Sequence, residues 1–286
     1  MGLCVEPLHP CIGAAVTGID LRQVTDAAQA AALVEAFEQH HVLVFPGQEL
    51  TDAQHIRFSR LFGELEVYPV KDNRGDTDGH IFLISNVGED DTIMPPELDK
   101  AKFINLTQMW HTDSSYRPIP SKGAVLRAVE LPPEGGDTLW VNMFAVYDSL
   151  NAETQARLAT LTARHDYAYP RSLADLPALS PAEQASVPPV EHPLVRTHPD
   201  GRKSLYISPV YAPTCNGLSD AESQRLLGEL VDWATRDEFT YRHKWQVNDV
   251  VMWDNRCTMH RVMPFDWVTE RRVMRRTALA GVDPVR

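Results

Sequence analysis

The apolar residues of this chain come in short segments, and most of these segments have a glycine or a proline at or near one end. Residues 14–19, 41–45, 123–129 and 138–142 are examples. Short apolar runs between turn residues predict buried strands. Helical patterns lie mainly in the first half and in one later insertion, without regular alternation with strands. The chain is therefore predicted to be mainly β with flanking helices, as a β-sandwich or jelly roll, rather than a TIM barrel or a Rossmann sheet.

Length and loop composition predict the domain organisation. A chain of 286 residues suits one large domain, and residues 1–286 are expected to form a single one. Residues 68–102 are rich in Asp, Gly and Pro, with an apolar segment at 81–85. A long irregular stretch of this kind is typical of an active-site lid. Residues 170–193 carry six prolines and are predicted to form a second loop.

Charge and cysteine content limit the possible partners. Asp and Glu number 39 against 27 Lys and Arg, so the net charge is −12, with no general attraction to nucleic acid or to anionic membranes. The sequence has no run of about 18 apolar residues, so no membrane-spanning helix is predicted. The four cysteines lack CxxC spacing, which predicts reduced thiols in a cytoplasmic protein. A single disulfide between Cys4 and Cys11 is the alternative.

The segment Trp110-His111-Thr112-Asp113 carries the clearest chemical signal. In a strand, residues two apart point to the same side, so His111 and Asp113 would face one point. An imidazole and a carboxylate are two of the three ligands in a 2-His-1-carboxylate iron site. His260, which follows a predicted strand far along the chain, is the best candidate for the third ligand. Hydrogen-bonded histidines with no metal are the alternative for both positions.

Four arginines lie within six residues near the end of this acidic chain. In a strand, Arg272 and Arg276 share one face, and Arg271 and Arg275 share the other. Arginines that face the interior need anionic partners. The strand pattern and the closeness to His260 favour an interior anion site over a solvent-exposed basic strand.

Five blocks of sequence occur in an order that resembles the Fe(II)/2-oxoglutarate-dependent dioxygenases of the taurine dioxygenase family. In chain order they are Trp110-His111-Thr112-Asp113, Gly135-Gly136-Asp137-Thr138, Trp253-Asp254-Asn255-Arg256, His260, and Arg271-Arg272 with Arg276. The resemblance covers nearly the whole chain and is strongest to the phenoxyalkanoate branch, which includes the 2,4-dichlorophenoxyacetate and phenoxypropionate dioxygenases. It implies a double-stranded β-helix (jelly roll), Fe(II) as the metal, and 2-oxoglutarate and O2 as co-substrates.

The resemblance also implies roles for individual residues. The implied iron ligands are His111, Asp113 and His260. Thr138 and Arg272 correspond to the residues that bind the distal carboxylate of 2-oxoglutarate. Arg271 is the alternative to Arg272, because Arg272 lies one residue farther from His260 than the corresponding arginine usually does in the family.

Three further positions match substrate-binding residues of the family. Arg276 and Lys71 would hold an acidic group of the substrate, and Tyr211 would line the pocket. A solvent-exposed loop lysine is the alternative for Lys71. The partner is thus expected to be a small anionic molecule, and the family implies a homo-oligomer.

The implied reaction is hydroxylation of the carbon next to the ether oxygen of an aryloxyalkanoate, which gives a phenol, an oxo acid, succinate and CO2. A taurine-like sulfonate or another small organic acid is an alternative substrate. Thr107 stands where taurine enzymes usually have Asn, and this favours a hydrophobic carboxylate. A metal-dependent hydrolase or a non-catalytic anion-binding protein on the same fold is a further alternative, and only a dioxygenase would form succinate.

Overall fold

The computed structural model describes residues 2–24, 27–67 and 79–286. The strands in these ranges are β1 (Cys4–Pro7), β2 (Ala14–Thr17), β3 (Val42–Phe45), β4 (Phe82–Ser85), β5 (Gly123–Glu130), β6 (Thr138–Asn142), β7 (Thr162–His165), β8 (Val190–Pro193), β9 (Val195–Thr197), β10 (Lys203–Leu205), β11 (Thr214–Cys215), β12 (Thr240–His243), β13 (Val250–Asp254), β14 (Thr258–Val262) and β15 (Val273–Leu279). The helices are α1 (Ala27–His40), α2 (Asp52–Ser59), α3 (Asp99–Asn105), α4 (Met143–Ser149), α5 (Ala152–Leu158), α6 (Ala168–Leu173), α7 (Pro181–Ser186) and α8 (Asp220–Ala234). The fold is rich in sheet and carries helices around it, as the apolar segments predict.

A large sheet forms the centre of the fold. Over the described residues it has seven strands in the order β1-β2-β3-β13-β5-β15-β4, and neighbours are antiparallel except for β2 and β3. In β13, Val250 and Met252 pack on one face of this sheet, and Val251 and Trp253 pack on the other. Because both faces are covered, the central strands are continuously apolar instead of alternating.

Helices α1 and α2 cover one face of the large sheet. Phe37 of α1 and Phe58 of α2 pack with Phe45 of β3, and the Phe45 and Phe58 ring centroids lie 5.3 Å apart. A capping box starts α2, because Thr51 accepts from the Gln54 backbone and Gln54 in turn caps the Thr51 backbone. The turn chemistry at Thr51 therefore fixes where this helix meets the sheet.

A smaller sheet, β12-β6-β14, packs on the opposite face. Trp140 of β6 and Trp253 of β13 are fully buried between the sheets, with ring centroids 5.8 Å apart. In β14, Met259 packs in the core that includes α4 and α8. The next residue, His260, points the other way and lies 4.8 Å from the Trp253 ring. The alternation of β14 therefore directs His260 into the space between the two sheets.

The structure corrects one loop prediction. Residues 170–193 are not one continuous loop, because α7 lies within them and β8 begins before they end. Ser180 and Glu183 form a capping box for α7, and Pro181 occupies the first turn, where its missing N–H has no cost. Of the predicted lid at 68–102, residues 68–78 lie outside the described residues, and the remainder contains β4 and the start of α3.

Two expectations about the surroundings of the chain can be compared with the structure. All four cysteine positions lie in the described ranges and are free thiols, as predicted, so Cys4 and Cys11 are not bonded to each other. Within the described ranges no helix has the length and apolar character needed to cross a membrane.

Candidate active site

His111 and His260 face each other across an antiparallel β-bridge. The His111 N–H donates to the His260 carbonyl oxygen at 3.0 Å, and the reverse bond measures 2.9 Å. Both side chains are buried, and their ring centroids lie 4.1 Å apart. The backbone pairing therefore brings together two histidines that are far apart in the sequence.

Asp113 completes this cluster from a turn. The strand expected for residues 111–113 is wrong at Asp113, because the chain turns after His111. Ser114, which follows Asp113, has a positive φ of 56°. The carboxylate still lies 3.8 Å from Nε2 of His111 through Oδ1, and 3.8 Å from Nε2 of His260 through Oδ2. The three predicted ligands thus converge, with one ligand atom of each within 4.8 Å of the others.

The protonation of these side chains suits a divalent metal ion. Burial lowers the pKa of both His111 and His260, so both rings are neutral at neutral pH. Burial alone would raise the pKa of Asp113, but the charge of the adjacent Arg276 is the largest opposing influence, and the pKa is held at about 2. Nδ1 of His111 donates to the Met109 carbonyl oxygen at 2.8 Å, which leaves the Nε2 lone pair facing the cluster. Two neutral imidazoles and an ionised carboxylate fit Fe(II).

A cavity of about 170 Å³ opens on this cluster. Its apolar and aromatic lining includes Phe82, Ile84, Phe103, Tyr116, Tyr167 and Tyr211. The Tyr116 ring centroid lies 4.7 Å from that of Tyr167 and 5.1 Å from that of Tyr211. The three tyrosines therefore form one continuous aromatic wall beside the candidate metal ligands.

The same cavity has a charged side. Nη1 of Arg276 donates to Oδ2 of Asp113 at 2.8 Å, so this arginine joins the cavity wall to a candidate metal ligand. Arg117 and Glu66 form an ion pair of 2.7 Å in the lining. Both arginines of the lining therefore already have an acidic neighbour, Glu66 for Arg117 and Asp113 for Arg276.

Arg272 lies beside the glycines that precede Thr138. Its Nη2 donates to the Gly136 carbonyl oxygen at 3.1 Å, and burial lowers its pKa to about 10, which leaves it charged at neutral pH. Gly136 has a φ of +69°, and a Cβ there would lie 3.0 Å from Nε of Arg272. Thr138 accepts a hydrogen bond on Oγ1 from the Trp245 indole at 2.9 Å. Arg272 therefore contacts the segment that leads into Thr138. It also lines a second, smaller cavity together with Val262, the strand partner of Thr138.

Arg271 points elsewhere. Its guanidinium is one-third exposed and pairs with Glu130 at 2.6 Å and with Asp91 at 2.5 Å. Of the two arginines proposed for the 2-oxoglutarate carboxylate, Arg272 is the buried one.

The remaining predicted substrate residues have different outcomes. Tyr211 lies in the cavity wall, where burial raises its pKa well above the ordinary value. Lys71 lies outside the described residues. Tyr116, Arg117 and Tyr167 also line the cavity, but the sequence does not predict them as site residues. Tyr116 and Arg117 follow Asp113 closely, and this nearness to a candidate ligand is the signal that could have indicated them.

A buried pair of histidines and one carboxylate, open to a cavity in a sheet-rich fold, defines the class of mononuclear non-haem metal sites. The family model described as "Taurine catabolism dioxygenase TauD, TfdA family" matches residues 5–278. The chain belongs to this family of dioxygenases, which confirms the resemblance noted in its sequence.

Relatives and solved structures agree with this assignment. The chain is 38% identical over 283 residues to the alpha-ketoglutarate-dependent 2,4-dichlorophenoxyacetate dioxygenase of Cupriavidus pinatubonensis, with 98% of each chain covered. It is 38% identical over 289 residues to the (S)-phenoxypropionate/alpha-ketoglutarate-dioxygenase of Sphingobium herbicidovorans, covering 98% of this chain and 95% of that one. The crystal structure of AAD-2 in complex with Mn(II) and N-oxalylglycine superposes with a TM-score of 0.91 at 36% identity, covering 100% of this chain and 99% of that chain.

Proposed function

We propose that the protein is an Fe(II)- and 2-oxoglutarate-dependent dioxygenase that hydroxylates an aryloxyalkanoate at the carbon next to its ether oxygen. The observation that carries this proposal is the cavity in which an aromatic wall, Arg276 and the candidate metal ligands meet. The relatives named for 2,4-dichlorophenoxyacetate and phenoxypropionate support the same substrate class.

His111, Asp113 and His260 would hold Fe(II) through two imidazole nitrogens and a carboxylate. When bound, Fe(II), 2-oxoglutarate and O2 supply the oxidation, which yields succinate and CO2 and inserts an oxygen atom into a substrate C–H bond. A carbon that carries both a hydroxyl and an aryl ether then breaks down to a phenol and an oxo acid. The chain itself contributes position and charge.

Arg272 and Thr138 would bind the distal carboxylate of 2-oxoglutarate. A guanidinium and a hydroxyl together make a directional carboxylate site. The burial of Arg272 supports it over Arg271, whose charge is already matched by Glu130 and Asp91. The Trp245 indole is a donor only, so the Thr138 hydroxyl proton remains available for the carboxylate.

Tyr116, Tyr167 and Tyr211 would contact the aryl group, because aromatic rings pack well against offset or tilted rings. Arg276 would hold the substrate carboxylate, which directs the carbon beside it toward the metal. Lys71, which lies outside the described residues, is proposed as a second cation for the same carboxylate.

Thr107 supports an aryl acid over a small sulfonate such as taurine. Its hydroxyl donates to the Ile104 carbonyl oxygen at 2.7 Å. The hydroxyl is therefore already bonded within its own turn, although Thr107 lines the cavity. It can offer an ammonium group only its hydroxyl oxygen, without the amide oxygen of the Asn usual in taurine enzymes, whereas its methyl group suits an apolar ring.

The finer structural and cellular predictions also belong to this proposal. We propose that the two sheets form the double-stranded β-helix (jelly roll) of this family and that residues 1–286 act as one dioxygenase domain. Residues 68–102 are proposed as its lid. The free cysteine thiols support a cytoplasmic location. A homo-oligomer remains a prediction.

The test is succinate formation under air with Fe(II), ascorbate and 2-oxoglutarate, against phenoxyacetate, both enantiomers of a 2-aryloxypropionate, and taurine. Phenol release together with succinate from an aryloxy acid is the expected result. Turnover of taurine alone would move the protein to the sulfonate branch. Phenol without succinate would identify a hydrolase, and succinate that no substrate in the panel stimulates would overturn the proposed substrate class.

A further inference from the structure

Asp113 is the member of the cluster whose backbone lies in neither a strand nor a β-bridge. His111 and His260 fix each other through paired backbone hydrogen bonds, whereas Asp113 lies in a turn that continues into the left-handed Ser114. A turn does not by itself hold a carboxylate to within a few tenths of an ångström. The position of Asp113 must therefore depend on contacts from another part of the chain.

Asn255, in the loop between β13 and β14, makes these contacts. Its Oδ1 accepts from the Asp113 N–H at 3.0 Å, and its Nδ2 donates to the Asp113 carbonyl oxygen at 2.7 Å. Nδ2 also donates to the Ser121 carbonyl oxygen at 3.1 Å. One side-chain amide thus satisfies both backbone polar groups of the candidate ligand, and the side chain is 1% exposed.

The chemistry of this clamp requires an amide. A carboxylate accepts but does not donate, so Asp at this position would place oxygen against the Asp113 and Ser121 carbonyl oxygens. An aliphatic side chain would leave the Asp113 N–H and C=O without these partners in a buried place, which costs more than the bonds themselves contribute.

Asn255 is itself anchored on both sides of the cluster. Its backbone N–H donates to the Lys122 carbonyl oxygen at 3.0 Å, and the chain continues from it directly into β14, which carries His260. The same short segment therefore sets the position of His260 through its strand and of Asp113 through a side chain. The segment therefore fixes the Asp113 carboxylate relative to the His260 imidazole, and both would bind the same metal ion.

We propose that Asn255 is a positioning residue that places the Asp113 carboxylate relative to His111 and His260, so that metal affinity depends on it. This inference rests on the metal site of the proposed function. Groups that orient metal ligands from outside the coordination sphere typically change metal affinity 10- to 100-fold when they are replaced.

The test compares Asn255→Asp with Asn142→Asp in the metal-free protein, titrated with Mn(II) and followed by the EPR signal of the free ion. Asn142 is a matched control, since it is also a buried amide that accepts from backbone N–H groups, of Phe144 and Ala145, and donates to a backbone carbonyl, that of Cys11. The thermal midpoint of each metal-free variant is measured in parallel.

We expect Asn255→Asp to weaken Mn(II) binding by roughly tenfold or more, and Asn142→Asp to lower only the thermal midpoint. Asn255→Ser, whose hydroxyl both donates and accepts, should recover part of the affinity, and it replaces the Asp variant if that variant does not fold. Mn(II) affinity within twofold of the wild type in a folded Asn255 variant would reduce Asn255 to a structural role. A wild-type protein that binds no Mn(II) would instead contradict the metal site itself.

Discussion

Two clusters of buried metal-ligating side chains occur within the described residues, and they differ in what surrounds them. They are His111-Asp113-His260 and His41-Asp254-Cys257. The first cluster faces a cavity through His111 and Asp113. In the second, Asp254 is held by Arg256 through both carboxylate oxygens, at 2.9 and 2.6 Å. Residue types and distances alone would make both clusters candidate metal sites.

The difference shows that nearby ligand types do not make a metal site. A site also needs free lone pairs and an open side. In the second cluster burial raises the pKa of the Cys257 thiol well above its ordinary value, so the thiol stays protonated. Arg256 bonds both carboxylate oxygens of Asp254, whereas of the two Asp113 oxygens Arg276 bonds only Oδ2. We therefore interpret this cluster as support for the loop between β13 and β14 rather than as a second metal centre.

The largest expected effect follows from removing a ligand of the open cluster. His111→Ala should abolish both Mn(II) binding and turnover, because one of three ligands is lost. The matched change in the enclosed cluster, Cys257→Ala, should leave one Mn(II) per chain, as measured by EPR titration. Turnover by His111→Ala would overturn the ligand assignment, and loss of a bound ion from Cys257→Ala would overturn the contrast between the clusters.

The next effect concerns 2-oxoglutarate. Arg272→Ala should raise the KM for 2-oxoglutarate by roughly 10- to 100-fold, because a buried, charge-assisted contact with a carboxylate is lost. Arg271→Ala is the control and should change this KM by less than about threefold, since its surface ion pairs contribute little. Steady-state kinetics with varied 2-oxoglutarate measure both values. The reverse order would assign the co-substrate to Arg271.

A smaller effect is expected for the substrate. Arg276→Ala should raise the substrate KM by about tenfold and the 2-oxoglutarate KM by less, because the lost charge-assisted bond is to the substrate acid. Since Arg276 also contacts Asp113, Mn(II) affinity is measured for the same variant. A larger change in the 2-oxoglutarate KM would mean that Arg272 and Arg276 have exchanged roles.

The enclosed cluster should respond through stability instead. Arg256→Ala leaves the Asp254 carboxylate buried without its bidentate partner, which should lower the free energy of unfolding by about 3 kcal/mol. Urea unfolding of wild type and variant measures this difference. The substrate KM of the folded variant should stay within about twofold of the wild-type value, a smaller kinetic change than for His111→Ala, Arg272→Ala or Arg276→Ala. A stable Arg256→Ala with a large KM change would assign this cluster to the active site.

Much of the fold could be predicted from local pattern. The apolar runs of β3, β5 and β6 depend on neighbouring residues, and these strands form where the sequence predicts them. The sequence does not predict α7, because prolines are typical of loops, although Pro181 stands in the first turn, where a helix tolerates proline.

The site was less predictable because its parts meet through distant contacts. The HxD spacing indicates two ligands, but the turn that presents Asp113 is held by Asn255, which no local pattern connects to it. Tyr167 reaches the cavity from the start of α6, and its role follows from packing beside Tyr116 rather than from any motif. The proposal of Arg272 rather than Arg271 for 2-oxoglutarate likewise depends on which of the two is buried, and strand alternation alone does not indicate this.

The most direct test of the central claim is the ratio of products in one reaction. Wild-type protein is incubated under air with Fe(II), ascorbate, 2-oxoglutarate and the preferred aryloxyalkanoate, and succinate and phenol are quantified together. Equal amounts of both are expected, and no phenol when 2-oxoglutarate or O2 is left out. Phenol that forms without succinate, or in the absence of O2, would contradict the central claim.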